Sequence, residues 1–128
     1  MQKQSLKNRP KNLNLFTIKL PINAVVSILH RVSGIGLFLA IPLILLSFQS
    51  LVHSESSYIT LTIWLDTWFL KLMIIGLAWA FFHHFFAGIR HLLQDIHWMT
   101  SLNNARLSSR ILLWLVGVVT VIFAIVIW

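Results

Sequence analysis

Residues 32–51 constrain this chain more than any other stretch, because no charged side chain or histidine interrupts them. A helix of about 20 apolar residues, rising 1.5 Å per residue, crosses a hydrocarbon core of roughly 30 Å. Residues 111–128 repeat the pattern, and 69–89 supply a third stretch broken only by Lys71 near its start and by His83 and His84 near its end. With 128 residues, 58% hydrophobic and 10% charged, a soluble domain has no interior large enough for this surface. The expected fold is an all-α membrane protein, a single domain over 1–128 with three transmembrane helices spanning about 24–51, 69–89 and 111–128.

The polar segments set the expected topology. Residues 1–21 form a basic segment carrying Lys3, Lys7, Arg9, Lys11 and Lys19 with no acid. It is too polar for a signal peptide's core, so it is expected to be retained, with 12–20 lying along the membrane surface. Pro21 suits a helix start and Pro42 is expected to kink the first span. Residues 53–62 read as a polar loop, followed by Trp64 and Trp68 as interfacial anchors and by Lys71, whose stem can snorkel to the same surface. Residues 90–110 read as the second loop, with Arg90, Arg106 and Arg110 against Asp95 alone. Basic residues number five before the first span, none in the first loop and three in or beside the second. That bias places the N-terminus and second loop in the cytoplasm and the C-terminus outside. The net charge of +7 is spread around the spans instead of forming one patch, which argues against nucleic-acid binding. The chain has no cysteine, so disulfides, iron–sulfur ligation and thioether attachment of haem are excluded.

Histidines in hydrocarbon call for a ligand, a partner or a wet cavity. Residues 83–95, HHFFAGIRHLLQD, end the second span with three of them. On a helix His84, Gly88 and His91 share a face at i, i+4 and i+7, continued by Gly76 and Ala80, a shallow groove able to take a flat ligand or another helix. His84 is therefore a candidate axial ligand of haem b, with His30, Arg31 and Arg90 as donors for its propionates. The plainer alternative is a histidine that hydrogen-bonds neighbouring backbone. His83 is a rival ligand on a face lined by Ala80 and Ala87, and spacing leaves both open. No second histidine lies at matching depth on another helix, so six-coordinate haem requires one from another subunit. Ser27 and Arg31, at i, i+4 on the membrane edge, can donate to a quinone carbonyl; the plain reading is a solvated arginine beside a first-turn serine. Asp95 is expected in an ion pair with Arg90, His91 or Arg31, more readily than in a proton relay. There is no carboxylate dyad, no nucleophile with a base and no phosphate loop.

Two patterns carry a resemblance: S-x-x-H-R-x-[ST]-G from Ser27 to Gly34, and H-x-x-x-G-x-R-H from His84 to His91 with Asp95 beyond. Together with the basic N-terminus and three spans, they closely resemble the cytochrome b subunits of succinate dehydrogenase (complex II), across the whole chain. The resemblance implies an inner-membrane anchor that packs with a second small anchor subunit and carries a flavoprotein and an iron–sulfur subunit. It implies His84 as haem b axial ligand, the second anchor supplying the other, with His30 and Arg31 near the propionates and Ser27 and Arg31 at the ubiquinone site. His91 and Asp95 remain candidates for a proton or ion-pair role. Competing expectations are the anchor of a fumarate reductase and a haem-free structural anchor or transporter module.

Overall fold

A computed structural model describes residues 17–98 and 100–128. Four helices follow in order: α1 (Ile22–His53), α2 (Glu55–Leu65), α3 (Trp68–Asp95) and α4 (Leu102–Ile127). Three of them, α1, α3 and α4, are long and apolar enough to cross a membrane. Expectations that fall on 1–16 lie outside the described residues.

Pro21 is the residue before α1, in extended conformation at φ −65°, so its ring pre-sets the chain without removing a needed donor. Pro42 lies inside α1, where it leaves the Phe38 carbonyl without its intrahelical donor. The expected loop at 53–62 is instead the helix α2. The Ser54 hydroxyl accepts from the Ser57 backbone N–H at 3.1 Å, and Glu55 places negative charge in the first turn, so serines that read as loop-formers act as a helix start. Thr60 and Thr62 return their hydroxyls to carbonyls of the preceding turn, which hides their polarity.

The second loop is also shorter than expected, because helix continues past the apolar stretches at both of its edges. α3 ends in a Schellman turn: Trp98 N–H reaches the Leu93 carbonyl at 3.0 Å, and His97 N–H reaches Gln94 at 2.9 Å. His97 takes the left-handed conformation (φ 62°) that usually favours glycine. Ser101 then caps α4 through the Asn104 N–H.

α3 runs antiparallel to both neighbours. At one end Lys71 on α3 reaches the Trp128 carbonyl at 3.4 Å and pairs with Asp66 at 2.7 Å, as snorkelling of its stem anticipates. At the other end Ser109 on α4 donates to the Asn23 side chain of α1 at 2.8 Å. The buried core lies near that second end, where Val26, Ala87, Leu112 and Val116 meet from three helices. Elsewhere large apolar side chains face outward; Trp114 is 77% and Val126 81% exposed. Such a surface suits lipid or neighbouring subunits and not water.

Candidate functional site

Helical pitch separates two adjacent stripes on α3, each beginning at a histidine. His83, Ala87 and Arg90, at i, i+4 and i+7, are buried. His84, Gly88 and His91 are half-buried and lie toward α1.

The α1–α3 seam is built from a reciprocal fit. α1 carries His30 and Gly34, α3 carries His84 and Gly88, each pair four residues apart, and the helices run in opposite directions. The His84 ring lies on Gly34, where a Cβ would stand 2.8 Å from His84 Cε1 and 3.1 Å from Nδ1. The His30 ring lies over Gly88, where a Cβ would be 3.6 Å from Nε2. The two imidazoles stack with centroids 4.3 Å apart and planes 10° from parallel, and the His91 ring stands 5.1 Å from His30. Glycine is therefore required at position 34 for close approach rather than for an unusual backbone angle.

Hydrogen bonds to carbonyls fix both tautomers, since a carbonyl only accepts. His84 donates Nδ1–H to the His30 carbonyl at 3.1 Å, which also accepts the Ser33 hydroxyl at 2.9 Å. The lone pair of His84 thus sits on Nε2, at the tip of a half-buried ring. His83 donates Nε2–H to the Val26 carbonyl over a long 3.4 Å. Its lone pair is on Nδ1, which is buried and has no partner, in a side chain with 0% exposure stacked on Trp79 at 5.5 Å. Neighbouring histidines are consequently held in opposite tautomers, and only His84 offers an accessible ligand atom.

One turn from His84 and Gly34 the seam opens into a cleft of about 750 Å³ between α1 and α3, with Gly36, Ala40, Gly76 and Ala80 among its walls. The small residues expected to extend the His84 face do line this cleft.

Ser27 is half-buried and Arg31 exposed, one turn apart on α1, and neither makes a side-chain hydrogen bond or ion pair with the described residues. Asp95 is exposed, and the expected ion pair with Arg90, His91 or Arg31 does not form; among the described residues the one salt bridge is Lys71–Asp66. Arg90 also departs from expectation. It points away from His30, with Nε donating to Ser108 Oγ at 3.0 Å and an Nη to the Ala105 carbonyl at 3.1 Å, so it fastens α3 to α4. Six residues from His84 is about 240° around a helix, or about 120° the other way, which turns Arg90 from the His84 stripe toward α4. Ser108, Ser109 and Asn23 carry no sequence signal, and Gly34 enters the sequence reading only as the last position of a motif; the H-x-x-x-G spacing shared by α1 and α3 is the signal that gives it a task.

An antiparallel bundle with three helices long and apolar enough to cross a membrane, and with a seam lined by histidines at one end, defines a polytopic membrane protein. Residues 5–125 match the model of the succinate dehydrogenase/fumarate reductase transmembrane subunit family. The chain belongs to that family, and is accordingly an integral membrane subunit of a larger complex. It is 37% identical over 102 residues to the succinate dehydrogenase cytochrome b556 subunit of Coxiella burnetii, covering 79% of this chain and 82% of that one. It is 34% identical over 127 residues to the protein of that name from Rickettsia bellii, covering 98% and 96%. With that of Paracoccus denitrificans it shares 30% identity over 106 residues, covering 83% and 82%.

Proposed function

We propose that this chain is the haem b-binding membrane anchor of a succinate dehydrogenase, with His84 as one axial ligand of the iron and with Ser27 and Arg31 forming part of the ubiquinone site. The observation that carries the reading is the tautomer of His84. Its Nδ1–H is engaged by the His30 carbonyl, which orients the ring and leaves Nε2 free to ligate. Gly34 supplies the room for the ring, and the cleft beyond it is apolar and bordered by small side chains. The residues present fit the group.

Haem b, when bound, supplies a one-electron carrier beside the quinone site. The chain's own residues do the rest. His30, whose ring stacks on that of His84, would hold a propionate and not the iron. The other ligand is assigned to a histidine of a second small anchor subunit. His30 and Arg31 would hold propionates, Arg31 by its charge and His30 by its ring nitrogen. Ser27 and Arg31 donate hydrogen bonds to a quinone carbonyl arriving from lipid. His91 and the exposed Asp95, one turn beyond it, can exchange protons with water or pair with charge there. Succinate oxidation belongs to the flavoprotein and its iron–sulfur partner. The basic bias around the spans orients the site toward the cytoplasm of a bacterial inner membrane.

Purification of the chain with its partner subunits tests this reading. A b-type absorption band that succinate reduces is expected, and a complex of full subunit composition without b haem would reject it.

A further inference from the structure

His83 is unexplained by this reading: it is among the largest fully buried side chains, it carries an orphaned ring nitrogen, and it lies next to the proposed ligand. A buried imidazole with one unsatisfied nitrogen is destabilising relative to a hydrocarbon side chain that packs as well. Nothing about packing alone calls for a polar ring among Val26, Ala87, Leu112 and Val116.

Its other nitrogen gives it a use. The carbonyls that accept from His83 and His84 belong to Val26 and His30, one helical turn apart on α1. Two consecutive residues of α3 therefore reach two successive turns of α1, from directions about 100° apart around α3. One such bond permits α3 to slide or roll against α1; two bonds at different heights and angles oppose both motions. Trp79, stacked on His83 at 22° between planes, limits rotation of that ring.

We propose that His83 is a positioning residue for His84: it fixes the depth and rotation of α3 on α1, and through them the direction of the His84 Nε2 lone pair. The inference rests on His84 being the haem ligand. Its basis is geometric, since the His84 ring already has Gly34 at its Cε1–Nδ1 edge and His30 stacked on it, and a small roll of α3 would drive its Cε1 into the α1 backbone.

His83→Gln and His83→Met test it in the purified holo-complex. The two side chains are similar in length and flexible, but only glutamine donates a hydrogen bond. The readouts are the low-temperature paramagnetic resonance signal of the oxidised haem, which reports ligand orientation, and the rate of haem loss in mild denaturant. His83→Gln should match the wild type in both. His83→Met should shift or broaden the signal and weaken haem retention by about tenfold, the lower end for loss of a supporting interaction around a metal ligand. Wild-type behaviour of His83→Met overturns the proposal, as does equal perturbation of both variants, which would make ring volume the cause. Should His83→Met not assemble, the glutamine variant decides alone, and a shifted signal in it overturns the proposal. Absence of b haem from the wild-type complex would instead refute the ligand assignment beneath it.

Discussion

His84 gives its Nδ1 proton to the backbone carbonyl of His30 across 3.1 Å while the two rings stack 4.3 Å apart, so α1 presents to α3 both an acceptor and a flat wall. This contact ties the strongest candidate ligand to the helix that carries Ser27 and Arg31. It also gives Gly34 a specific task, which leads to the first prediction.

Gly34→Ala introduces a Cβ 2.8 Å from His84 Cε1, closer than side chains approach, and the ring must move. Haem retention in the purified complex should fall by about tenfold or more. Gly88→Ala meets His30 Nε2 only at 3.6 Å, an ordinary contact, and Gly117→Ala on α4 meets nothing within 4 Å. Both should retain haem at wild-type levels, and equal effects at 34 and 117 would show that helix propensity, not the ring, is responsible.

Ser27→Ala and Arg31→Leu remove donors that the described residues do not otherwise use. An unmade contact of this kind is worth about 1–3 kcal/mol, so quinone reduction should slow by about tenfold or more in each. Succinate oxidation with a soluble dye should persist, because it bypasses the membrane site. Normal quinone rates in both variants would place the pocket elsewhere.

Arg90→Met should act on assembly and leave the haem spectrum alone. Arg90 is 8% exposed, and its guanidinium bonds Ser108 and the Ala105 carbonyl of α4. Losing charged donors to buried acceptors costs about 1.5–3 kcal/mol, read as a lower thermal midpoint of the detergent-solubilised complex. A changed haem spectrum at unchanged stability would return Arg90 to the propionate role that the sequence first suggested.

Much of this was legible before the fold was known, and the reasons are physical. Apolar length fixed the three long helices, and the i, i+4, i+7 spacing found the stripe of His84, Gly88 and His91, because helical period is preserved inside a membrane. Arg90 was misplaced because it was judged by depth along the helix without its angle around it. The serines before α2 were read as loop although the same hydroxyls cap helices, a choice that local sequence leaves balanced. The contest between His83 and His84 had no solution in spacing, since both faces are bordered by small residues. What separates them is which nitrogen meets a carbonyl of α1, a property of the packed pair. The task of Gly34 is illegible in the motif that contains it for the same reason: it comes from a ring on another helix.

The most direct measurement is the haem of the purified complex carrying His84→Leu. His83 keeps Nδ1 buried and Nε2 on the Val26 carbonyl, so the loss is expected without its neighbour taking over. Pyridine haemochrome content should fall sharply, and any haem that remains should lack the low-spin signature of two imidazole ligands. An unchanged haem content with an intact low-spin spectrum would contradict the account.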